Sequence, residues 1–162
     1  MTNCSNENLT AQQIHKLGVD FALNAAKSHN DVVLMVTTPH DEKKFYINTD
    51  YGLREVIFCC STSKKNGDKI NNNISRREFR NRFVEAGKYT DKFYILVHMN
   101  LDTGKNRYFK VSHPDLCMLQ YERDCNCNNH HSMSITDWFN FGKGRNNIEC
   151  DLLAQKGCEI WK

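Results

Sequence analysis

Four side chains suited to a borderline metal fall within seven residues: Cys125, Cys127, His130 and His131, with Cys117 upstream. Thiolate and imidazole are the ligands of tetrahedral zinc, so these four form a candidate zinc site. Their spacing, Cys-x-Cys-x2-His-His, is not the paired Cys-x2-Cys of structural knuckles. The competing reading is a polar loop with incidental thiols. Cys59-Cys60 with His98 is a second candidate, for nucleophilic chemistry. A nucleophilic cysteine needs a nearby base and a lowered pKa. Both thiols lie in a strongly apolar run, which favours buried, inert sulfur, and His98 lies in another. The chain has no Gly-rich phosphate loop, nucleophile elbow or dinucleotide fingerprint.

Charge supplies a third signal. The net charge is only +3, but residues 64–92 hold nine bases against four acids, which leaves the rest of the chain at −2. Lys64, Lys65, Arg76, Arg77 and Arg80 lead this segment. A concentrated basic stretch on a near-neutral body points to an anionic partner. The alternative is a solvated helix face.

The elements that must position these residues can be read in order. Residues 1–9 are polar and predict a disordered tail. Thr10 and Gln13 have capping-box spacing, and Ile14, Leu17, Phe21 and Ala25 form an amphipathic stripe, so a helix is expected over 11–28. Gly18 either allows close packing there or lowers helix propensity. Residues 31–38 are β-branched and apolar and predict a buried strand. Strands at 45–47 and 54–61 follow, joined by short turns into an antiparallel meander. Residues 63–73 are expected as a loop. Ser75 and Glu78 open a second helix to Gly87, with Phe79 and Phe83 inward. Residues 92–99 predict a strand buried on both faces. A turn at 100–104 leads to a half-exposed strand over 106–112, with Phe109 and Val111 in and Tyr108 and Lys110 out. A short helix begins at Ser112-His113-Pro114, with Leu116, Met118 and Leu119 on its apolar side. Residues 122–133 are expected as a loop, and a last short helix starts at Thr136.

Length predicts one domain, over 10–162. No apolar run reaches the roughly 18–20 residues that span a bilayer, and the first residues lack a signal-peptide core. A cytoplasmic protein with reduced thiols is expected, and no membrane partner.

The order helix, three-stranded meander, helix, hairpin and short helix resembles the restriction-endonuclease-like superfamily, the PD-(D/E)xK nuclease fold. Ser61-Thr62-Ser63-Lys64-Lys65-Asn66-Gly67 looks like the end of its catalytic third strand and the following loop. Residues 92–97, the Asp102-Thr103-Gly104 turn and Arg107-Tyr108-Phe109 look like its later strand pair, and Ser134-Ile135-Thr136-Asp137-Trp138 like the element after it. The resemblance implies a single α/β domain with a mixed central sheet flanked by helices. It also implies phosphodiester cleavage by a divalent metal held between an acid and an Asp/Glu-x-Lys strand. The chain departs from that pattern. Aligning Thr62-Ser63 with the family's ending puts Cys59 at the acid and Ser61 at the lysine, and neither can do that work. Asp50 and Glu55 are the remaining acidic candidates, with magnesium expected only if they are active. Asp31 with Glu42-Lys43-Lys44 is an out-of-place variant that a solvated turn also explains.

The expectation is therefore a nucleic-acid-binding protein of nuclease-like fold, without the standard catalytic set. Lys64, Lys65, Arg76, Arg77 and Arg80 would contact phosphates. The alternatives are a small interaction or inhibitor protein of a phage or mobile element, using the fold as a protein-binding surface, and an active metal-dependent endonuclease. Self-association is compatible with any of these.

Overall fold

The first helix begins where its cap dictates. The Thr10 hydroxyl accepts the Gln13 N–H at 3.1 Å, and the Gln13 side-chain oxygen accepts the Thr10 N–H at 2.9 Å, a complete capping box. The computed structural model describes residues 9–84, 92–127, 133–140 and 146–162, with the backbone alone at 81–84 and 127. The expected 1–9 tail lies outside these residues apart from Leu9.

In chain order the elements are α1 (Ala11–Ser28), β1 (Val33–Thr37), β2 (Lys43–Thr49), β3 (Gly52–Thr62), α2 (Ser63–Asn66), β4 (Lys69–Asn71) and α3 (Arg76–Val84). Then come β5 (Phe93–Asn100), β6 (Lys105–Ser112), α4 (His113–Cys127), α5 (Ile135–Phe139), β7 (Asn147–Glu149), α6 (Cys150–Gln155) and β8 (Glu159–Ile160). Six strands form one mixed sheet in the order β1-β2-β3-β5-β6-β8, and β4 and β7 form a separate antiparallel pair. The meander β1-β2-β3 is antiparallel, as its short turns predict. β5 runs parallel to β3, with Ser61 level with His98, and β6 returns antiparallel.

Two cores explain why β5 is apolar almost throughout. On one face α1 packs its Ile14, Val19 and Ala22 over Val56, Phe58, Ile95, Val97 and Met99. On the other, Phe79, Leu116, Trp138 and Leu153 cover Tyr94, Leu96 and Phe109. A strand between two helix layers must be apolar on both faces, and β5 is buried from Tyr94 to Met99. Gly18 lets α1 approach β3: a Cβ there would lie 2.3 Å from Cys60 Sγ. The structure is thus a single mixed α/β domain with its central sheet flanked by helices.

Four expectations are corrected. β1 is not buried: it is the outermost strand, and Leu34, Met35 and Val36 are 45–53% exposed. Its composition reads as interior, but nothing among the described residues lies beyond it. Tyr108 is buried, because α1 and the C-terminus cover its face. Its hydroxyl donates to Phe21 O at 3.3 Å, and its ring lies 5.5 Å from Trp161. Residues 63–73 are not all loop. Thr62 caps α2, and β4 buries Ile70 opposite Ile148 of β7. The helix opening at His113 continues to Cys127, so the loop expected from residue 122 starts no earlier than 128. The longer helix is held by side chains on its inner face, Gln120, Asp124 and Cys125 among them. Among the described residues no helix is long and apolar enough to cross a membrane.

Candidate nucleic-acid interface

β3 loses its β2 partner after Val56, while β5 stays paired to it through Thr62. The half-strand from Ile57 to Thr62 therefore borders a groove of about 430 Å³ on the side away from β5. Ala11 and His15 of α1 line it on one side, Lys65 and Asn66 at its end, and Asn71, Asn72 and Asn73 on the other side. This stretch includes the positions where the nuclease resemblance would put catalytic residues.

Their chemistry there is neutral. Cys59 is buried, and its S–H donates to Asn72 O at 3.5 Å. Burial, with the negative charge of Glu78 adding to it, pushes its pKa up to about 12. The thiol is thus protonated at neutral pH, which disfavours nucleophilic chemistry. Cys60 is also pushed up by burial, and its S–H donates to His15 O of α1. Ser61 accepts the Asn71 N–H at 3.0 Å. His98, level with Ser61, donates from Nε2 to Gly67 O at 2.6 Å, which ties β5 to the end of α2. It serves as a strut, not as a base for Cys59 or Cys60. Among the described residues no Asp or Glu lines the groove. A hard divalent cation needs carboxylate or several carbonyl ligands in a compact set, and amides, thiols and a lysine do not supply one.

The acidic candidates are dispersed. Asp50 is exposed in the β2–β3 turn. Glu55 lies on β3, roughly 10 Å along the strand from that turn at about 3.4 Å per residue, and its carboxylate lies 3.8 Å from Lys92 Nζ. Asp31 accepts Trp161 Nε1–H at 2.9 Å before β1, and Glu42 follows β1. A strand of that length separates them by roughly 20 Å, so they share no site.

The five basic candidates divide. Thr62 caps α2 by accepting the Lys65 N–H at 3.4 Å, which presents Lys64 and Lys65 at the surface. Lys65 Nζ donates to Leu9 O at 2.8 Å, with further ammonium protons to offer. Ser75 caps α3 by accepting the Glu78 N–H at 3.0 Å. Arg77 and Arg80 of α3 are exposed and, three residues apart, neighbours on its surface.

Arg76 is the exception, and the expectation that it contacts phosphate is corrected. Its side chain is 9% exposed and forms an ion pair with the equally buried Asp124 of α4. It also donates to Asn146, and its guanidinium lies 4.4 Å from the Trp138 ring centroid. Burial pulls its pKa down, with Asp124 opposing. Asp124 further accepts Trp138 Nε1–H at 2.9 Å and Gln120 Nε2–H at 3.0 Å, and Gln120 accepts from Asn72 at 3.2 Å. This network carries order from the groove wall to α3, α4 and α5. Its sequence signal is Gln120 and Asp124 one turn apart, which the polar run from residue 122 obscures.

Cys125 is buried on α4, and that helix runs on through Cys127. His130 and His131 lie outside the described residues. Among the described residues no three His, Cys, Asp or Glu side chains are grouped to hold a metal. No protein-family model, curated protein or solved structure matches this chain.

Proposed function

We propose that this is a nucleic-acid-binding protein of restriction-endonuclease-like fold that does not cleave its ligand. One observation carries the reading: the groove beside the end of β3 is lined by Lys65, four asparagines and His15 and, among the described residues, by no carboxylate. Amides and an ammonium group suit phosphate and sugar oxygens, whereas hydrolysis in this superfamily needs acidic ligands for a metal. The element order, with a strand parallel to the third strand of the meander, supports the fold assignment. Lys64 and Lys65 on α2 and Arg77 and Arg80 on α3 supply the cationic contacts. Such contacts position a duplex or single strand without reading its sequence.

The test is incubation of the protein with plasmid and with single-stranded DNA in magnesium and in manganese. No product is expected. Cleavage that disappears on Asp50→Ala or Glu55→Ala would overturn the reading and establish an active endonuclease.

The second reading, an interaction or inhibitor protein, is favoured by the exposed apolar strand β1. Retention of a protein partner by the wild type, lost on substitution in β1 with DNA affinity unchanged, would favour it.

A further inference from the structure

β1 is an edge strand without the usual protection. Natural edges carry charge, proline or a bulge, which keeps them from pairing with other chains. From Val32 to Thr38 the chain has no charged residue, and Pro39 lies outside the strand. Val32, Leu34, Met35 and Val36 are 45–60% exposed. They are apolar on both faces, since Met35 lies opposite Phe45 on the α1 side of the sheet and Leu34 and Val36 point the other way.

The free backbone groups of this edge can be assigned. Thr38 N–H donates to Glu42 O at 2.8 Å, in register with the β1–β2 pairing. Antiparallel pairs alternate between bonded and non-bonded, so Val36 and Leu34 also direct their N–H and C=O groups to β2. Val33, Met35 and Thr37 direct theirs outward, where no strand of the described residues meets them.

We propose that a second copy of this chain occupies that edge, pairing β1 with β1 antiparallel about a two-fold axis at Met35. Met35 then faces the same residue of the other copy, and Val33 faces Thr37, all with outward-directed backbone groups. Leu34 faces Val36 on the opposite side of the sheet. The strand is self-complementary in this register: no charge meets a like charge. Asp31 of each copy lies toward the end where Lys43 of the other sits, on the same face. The Met35 side chain of the second copy lies beside a groove of about 560 Å³ between α1 and the outer strands, lined by Val19, Leu23, Met35 and Phe45 and by polar side chains such as Lys16, Asp20 and Lys43. The result is a continuous sheet of twice the width. Such an interface is at the small end, below about 1,200 Å², so the dimer is weak and forms at high protein concentration.

The test is sedimentation of wild-type protein over a concentration series up to about 200 µM, well above a micromolar dissociation constant, together with Met35→Lys, Met35→Glu and their equimolar mixture. Met35 is 53% exposed, so each variant keeps the fold, and matching thermal melts check this. The wild type is expected to double its mass with concentration. Each variant alone should stay monomeric, because it brings like charges together at the axis, and the mixture should regain the dimer. A wild type that stays monomeric, variants that still dimerise, or a mixture that stays monomeric would each overturn the proposal.

Discussion

Arg76 and Arg77 are adjacent and chemically identical, yet the fold gives them opposite tasks. Arg77 projects to solvent, and Arg76 neutralises Asp124 inside the domain. Removing Arg76 takes away one of two cations on Asp124, since Arg123 stays 3.5 Å from its carboxylate. The cost therefore falls below the about 3–5 kcal/mol of a fully broken buried pair, at about 1–3 kcal/mol. Arg76→Ala should lower the unfolding free energy in urea by that order, whereas Arg77→Ala should leave it within about 0.5 kcal/mol of wild type. Equal, small effects would mean that Asp124 is satisfied without Arg76. Cys59 sets a second expectation. Its pKa is raised from 9.0 to about 12, chiefly by burial. The folded state keeps the proton that the unfolded chain releases, so this stabilisation is complete below about pH 9 and is lost as pH rises toward about 12. Unfolding free energy measured from pH 8 to 11 should fall in wild type and fall less in Cys59→Ala. A parallel decline in both would remove Cys59 from the pH dependence.

At the scale of elements, the contact between α1 and β3 depends on having no side chain at Gly18. A Cβ there would stand 2.6 Å from the Cys60 Cβ as well as 2.3 Å from its sulfur. Overpacking of this kind costs about 1–3 kcal/mol. Gly18→Ala should lower the melting temperature, and Cys60→Ala, which removes only the sulfur, should relieve part of the loss. A neutral Gly18→Ala would show that α1 can shift away from the sheet. The continuation of α4 through Cys127 bears on the zinc expectation. Positions two apart on a helix do not face each other, and elemental analysis of purified protein measures whether zinc is nonetheless held. A full equivalent would mean that this helix end unwinds around the metal.

The same elements show what could be read in advance. Capping boxes and periodicity placed α1 to the residue, and turn chemistry placed the meander and the hairpin, because these signals are local. β1 reads as interior because composition cannot distinguish a strand sandwiched between layers from one at an open edge. The end of α4 is not legible locally because its polar residues, Gln120 and Asp124, bond to partners distant in sequence. Of the candidate site, the absence of acid and lysine at Cys59 and Ser61 was legible from the alignment of one strand. The inward turn of Arg76 was not, since the charged residue that draws it in lies 48 positions away.

For the whole molecule, the basic segment becomes a surface only after the fold removes Arg76 from it. Of the five candidate cations, the pair of lysines on α2 and the pair of arginines on α3 stay exposed, and Lys65 lines a groove that has no carboxylate among the described residues. On the proposed reading, weak binding that is indifferent to sequence is expected, with a dissociation constant on the order of 10⁻⁶–10⁻⁴ M at physiological salt. The most direct measurement is fluorescence anisotropy of a labelled duplex across a salt series, for wild type and for the Arg77→Ala/Arg80→Ala double variant. Each phosphate neutralised contributes about 0.9 to the slope of log affinity against log salt. The double variant should therefore bind more weakly, with a slope shallower by up to about 1.8 and an unchanged melting temperature. Wild-type protein with no salt-dependent binding, or a double variant with the same slope as wild type, would contradict the nucleic-acid reading.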